Sequence, residues 1–223
     1  MKVWYLYLVW IAVAALLGFA ISAIFAGTLH LPRNLYLIPY VGLAGLFIYS
    51  YIRWSGLSIP ELLLHNWYWG VIGAVLIGVF VIRNVLSQPA SPQPEGLTLA
   101  FDILWSGVIY GSIDALLLSV IPVHATWAAF SSSGLTDTWP GKILVGVLAI
   151  VASLMVTSAY HLGYPEYRGS TLFGPVIGNG AMTLGYVLTS NPLAAIFSHI
   201  AMHIAGVLHG AAYVTQLPPH YLP

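Results

Sequence analysis

The chain has 223 residues, of which 59% are hydrophobic and 5% charged, with a mean hydropathy of +0.89. Soluble domains carry about a quarter of their residues as charges, so this composition points to a multi-pass integral membrane protein whose first partner is the lipid bilayer. Six basic and six acidic residues cancel, which argues against nucleic acid as a partner, and the absence of cysteine excludes disulfides, thiolate metal sites and a Cys nucleophile.

Taken in order, the apolar runs predict an all-α transmembrane bundle of about seven spans. The first runs from Trp4 to Gly27, long enough to cross a hydrocarbon core of about 30 Å. A short connection with Pro32 and Arg33 leads to a second span, Leu35 to Tyr51, and Trp67-Tyr68-Trp69 opens a third that closes at Arg83. Aromatic and basic residues at span ends are interfacial anchors. Residues 87–98 carry three prolines and few apolar side chains, and read as a linker between a three-span N-terminal part, 1–86, and a four-span C-terminal part, 99–223. Span four, Leu99 to Ile121, is expected to stop at Pro122, with a short amphipathic helix and a polar loop after it. Spans five (Gly141 to Tyr160), six (Thr171 to Leu188) and seven (from Asn191) follow. Lys2, Arg53 and Lys142 fall on one side and Arg33, Arg83 and Arg168 on the other, so the basic residues set no orientation.

The chemistry concentrates in the last two-thirds of the chain. In span seven, His199 and His203 share one helical face with Gly206 and Gly210, while His209 is turned away. In span four, Asp114 follows Gly107 and Gly111 on a face of small residues suited to close helix packing. An acid inside a span costs about 2.5–3.5 kcal/mol to insert and ordinarily has a partner or a task. With every span centred in the bilayer, the rise per residue puts Asp114 and His199 each about 6 Å to the same side of the midplane, His203 near it, and His161 about 15 Å to the other side. Asp114, His199 and His203 are therefore the expected cluster, with His161 as an outlying candidate. Glu166 and Arg168, two apart in a polar connection, read as a solvated surface pair.

An intramembrane acid, a histidine ending the next span, a small-residue span and then Gly185-Tyr-Val-Leu-Thr-Ser-Asn-Pro-Leu-Ala-Ala-Ile-Phe-Ser-His199 resemble the CAAX prenyl-protease and bacteriocin-processing family over residues 99–214. The resemblance implies an intramembrane endopeptidase in which an acid and histidines activate water and stabilise an oxyanion, with Asp114, His161, His199 and His203 as catalytic candidates. The chain departs from that family's pattern. It has no Glu-Glu pair, Leu118 lies four residues after Asp114, Thr157 four before His161, and His203 four after His199.

Three readings stay open on these residues. One is a hydrolase acting on a membrane-proximal peptide, with Asp114, His199 and His203 able in principle to bind a divalent metal such as zinc. The second is a non-catalytic accessory or partner-binding subunit of a larger membrane complex. The third is a tetrapyrrole-binding protein with a buried axial histidine.

Overall fold

The structure, a computed structural model, describes residues 4–220, and among them every regular element is a helix. We number these α1 (Trp4–Thr28), α2 (Arg33–Ser55), α3 (Ile59–Leu64), α4 (Trp67–Leu86), α5 (Gly96–Phe130), α6 (Trp139–Leu162), α7 (Phe173–Thr189) and α8 (Leu193–His209). Five of them, α1, α2, α4, α5 and α6, are long and apolar enough to cross a membrane, as a multi-pass membrane protein requires. Helices stand at all seven expected positions, but α7 and α8 have 17 residues each, which at 1.5 Å per residue gives about 25 Å, short of a full hydrocarbon core.

Each long helix turns large apolar side chains outward and small ones inward. Leu16, Leu46, Leu76 and Met155 are more than 60% exposed, whereas Ala14, Ala44, Ala149 and Ser153 are fully buried. This inverts the soluble pattern, because in lipid the outer face gains nothing by being polar and close helix contact favours small residues. Local signals set the ends. Gly56 takes a left-handed conformation after α2, and the Thr138 hydroxyl accepts from the Gly141 amide at 3.3 Å ahead of α6, with Pro140 in its first turn.

Side-chain hydrogen bonds sort the connections into two ends of the bundle. At one end, the Asn191 amide donates to the Leu63 carbonyl at 2.9 Å, and the Tyr51 hydroxyl pairs with His124 Nδ1 at 2.6 Å. At the other, Arg33 donates to the Leu217 and Ala211 carbonyls at 2.6 and 2.7 Å, and the Gln88 amide donates to the Gln216 side chain at 2.8 Å. The proline-rich stretch 87–95 is non-helical, but it lies against the C-terminal segment, and α4 packs along α8.

Span four departs from its expected length. The helix continues through Pro122 to Phe130 and is 35 residues long. Pro122 has no N–H for the carbonyl of Leu118, and the Ser153 hydroxyl of α6 takes that carbonyl instead, at 2.6 Å. A π-helical stretch, Ala115–Val120, ends two residues before the proline and loosens the backbone there. A neighbouring helix thus supplies the bond whose loss would otherwise end the span.

Candidate functional site

Asp114 closes a short α-helical segment, Tyr110–Asp114, between two π-helical stretches of α5, Ile103–Ile109 and Ala115–Val120. Such wide turns re-aim side chains and recur at functional sites. The glycines ahead of Asp114 set how closely α5 meets α8. A Cβ on Gly111 would stand 3.0 Å from the Ile200 Cα and 3.2 Å from the His199 carbonyl oxygen, and one on Gly107 would stand 2.8 Å from Ile204 Cγ1. Only bare backbone fits, and Asp114 on that face meets the inner side of α8.

The contact formed there is with His203. Asp114 Oδ2 lies 3.4 Å from His203 Nε2, with Asp114 5% and His203 1% exposed. The other carboxylate oxygen, Oδ1, accepts a hydrogen bond from the Tyr40 hydroxyl of α2. The Tyr110 ring meets the His203 ring edge-on, with centroids 4.6 Å apart. At 3.4 Å, Asp114 and His203 are in close contact without a hydrogen bond, and both ring nitrogens of His203 are buried with no hydrogen-bond partner in the protein.

The other two histidines are oriented differently. His199 Nδ1 lies 3.2 Å from the Ala195 carbonyl and His161 Nδ1 lies 2.8 Å from that of Thr157, each one helical turn back. A carbonyl oxygen only accepts, so Nδ1 holds the proton in both rings and each neutral Nε2 keeps a lone pair for acid–base work.

Asp114, His161, His199 and His203 line one cavity of about 150 Å³, together with Leu118 and Asn179. That is room for several water molecules, given that each occupies about 30 Å³ in the liquid. His161 therefore does not stand apart as the depth estimate implied. That estimate assumed a common centre for all spans, whereas α5 has 35 residues and α8 only 17, so equal distance from helix centres is not equal depth. The end of α6 reaches the level of Tyr110, whose hydroxyl lies 2.8 Å from that of Tyr160, the residue before His161.

The arrangement bears on cofactors. The His199 and His203 rings are 6.3 Å apart between centroids, and among the described residues no three His, Cys, Asp or Glu side chains are gathered closely enough to hold a metal ion. The donor set as placed does not fit zinc, and the chemistry below runs through side chains alone. For a tetrapyrrole, the cavity is smaller than the range of about 300–1,000 Å³ usual for organic ligands.

Three features of the site escape a reading of the sequence. Tyr40 is one. A second is a fully buried knot of phenols from α2, α5, α6 and the loop after α6, in which the Tyr164 hydroxyl lies 2.6 Å from those of both Tyr36 and Tyr160. The pairs Tyr36/Tyr40 and Tyr160/Tyr164, each four apart, were the available signal. The third is Asn179 of α7, whose amide donates to the Ser153 and Thr157 hydroxyls at 2.9 and 2.6 Å while its oxygen accepts from Ser119 at 2.9 Å. Glu166 does not pair with Arg168. Its carboxylate accepts from the His220 amide at 3.0 Å, and Arg168 donates to the Leu162 carbonyl at 3.3 Å. No protein-family model, curated protein or solved structure matches this chain.

Proposed function

We propose that the chain is a seven-span integral membrane protein and an intramembrane hydrolase of the CAAX prenyl-protease type, acting on a membrane-proximal peptide bond. The observation that carries this reading is the Asp114–His203 contact at 3.4 Å beside a cavity of about 150 Å³ that His161 and His199 also line. Two short spans are compatible with seven crossings, since the bilayer thins around short helices or flanking residues reach to the interface.

In the proposed reaction, water in the cavity attacks the peptide carbonyl carbon and gives up a proton to the Asp114–His203 pair. Tyr40 holds Asp114, whose other oxygen faces His203 Nε2 at 3.4 Å and favours the tautomer protonated there, as a carboxylate does behind a catalytic histidine. The lone pairs on His161 and His199 Nε2 position the water. The proton then passes to the leaving amine nitrogen as the C–N bond breaks, giving a carboxylic acid and an amine.

The test uses purified protein in lipid vesicles with a quenched, farnesylated fluorogenic peptide as the probe. Cleavage is expected, and Asp114→Asn and His199→Ala should each reduce it by about 100-fold or more, the size of general acid–base contributions. Wild-type rates in both variants would sink the hydrolase reading. A second reading is favoured by one observation: both carboxylate oxygens of Asp114 are already engaged, which suits a structural pin joining α2, α5 and α8. On the scaffold of a non-catalytic partner subunit, the same substitutions would lower stability in a protein that cleaves nothing.

A further inference from the structure

Beyond the end of α8 the chain turns back on itself. Gly210 has φ +99°, and a Cβ there would fall 2.2 Å from the Ser91 carbonyl oxygen, so the reversal needs glycine. The following segment folds across the bundle end nearest His203. Val214 and Leu217 are fully buried, and their side chains stand where a Cβ on Gly206 would be, 3.2 and 2.9 Å away.

The segment's polar groups are held from three other parts of the protein. Arg33 at the start of α2 donates to the Ala211 and Leu217 carbonyls. Gln88, just past α4, accepts from the Thr215 amide at 2.9 Å and donates to Gln216, whose own amide donates to Asn84 at 2.8 Å. From the connection after α6, the Tyr167 hydroxyl donates to the Thr215 carbonyl and Glu166 accepts from the His220 amide. Burial, with the Glu166 charge adding to it, pushes the Tyr167 phenol up, so it remains a donor.

Thr215, Gln216 and Pro218 of this segment also line the cavity that holds Asp114. We propose that residues 210–220 are a strap that closes the water-facing mouth of that cavity and lifts to admit polar molecules. Its attachments are individual side-chain bonds and four buried apolar residues, Val214, Leu217, Pro218 and Pro219, rather than a helix or sheet ladder, and such segments open at lower free energy than the helices they cover. The strap is independent of the hydrolase reading, because what it controls is access.

The chain has no cysteine, so one thiol can report on the cavity. Met202, half-buried on α8, lines it. In vesicles, Met202→Cys is expected to react with a charged, membrane-impermeant thiosulfonate at least about tenfold more slowly than Ser87→Cys on the exposed end. Adding Gln88→Ala with Arg33→Gln should recover most of that difference. Reaction with N-ethylmaleimide, which crosses lipid, should change little and checks that the fold is intact. Should the combined variant misfold, Gln88→Ala and Glu166→Ala alone remove one attachment point each and should give intermediate rates. Charged-reagent labelling of Met202→Cys as fast as Ser87→Cys, or a rate unmoved in the folded variants, would overturn the strap.

Discussion

At the scale of single residues, the site turns on how a carboxylate survives inside an apolar bundle. Asp114 has a donor on one oxygen, Tyr40, and a histidine on the other, His203. Removing one partner leaves a buried group unsatisfied, at a cost of about 1–3 kcal/mol. Tyr40→Phe should therefore lower the thermal midpoint in detergent by an amount matching that range, and should slow peptide cleavage with it; an unchanged midpoint would show that the contact is idle. Asn179→Leu makes the same prediction for the polar network, since it strips three hydrogen bonds from Ser119, Ser153 and Thr157 at once. Asp114 and the span-seven histidines were legible in the sequence because polar residues are conspicuous in an apolar run. Tyr40 was not, because a tyrosine in a membrane helix is ordinary, and only its height against α5 makes it a donor.

At the scale of elements, the approach of α5 to α8 decides whether the cluster exists. Gly107 and Gly111 were readable as a packing face, and the structure shows which helix they meet. A valine at Gly111 would force its side chain into the α8 backbone, and overpacking of this kind costs about 1–3 kcal/mol or more. Gly111→Val should thus destabilise the protein and separate Asp114 from His203. Gly42→Val, on an exposed part of α2 where a Cβ meets nothing within 4 Å, should be tolerated. Thermal unfolding of the two variants side by side checks the difference. The course of α5 past Pro122 shows the limit of reading one helix at a time. The residue that accommodates the proline, Ser153, is on α6.

For the whole molecule, the proposed seven crossings require the two bundle ends to lie on opposite membrane faces. Ser87 follows α4 at one end, and Ser132 follows α5 at the other. In sealed vesicles, single cysteines at these positions should label from opposite sides with an impermeant reagent. Labelling of both from one side would remove the seven-crossing arrangement. The two parts on either side of the proline-rich segment share one site, since Tyr40 comes from α2 and Asp114 from α5.

The sequence by itself determined the apolar class, the helical architecture, the approximate helix positions and the identity of Asp114, His161, His199 and His203 as the chemically unusual residues. These are local properties, set by hydropathy over about 20 residues and by the cost of a polar group in lipid. Only the tertiary structure decided that all four line one cavity, that Tyr40 bonds to Asp114 there and that the segment after Gly210 contributes Thr215, Gln216 and Pro218 to its lining. Those depend on the relative depth and length of separate helices, and a 35-residue helix beside a 17-residue one shifts residues past one another by more than the reach of a side chain.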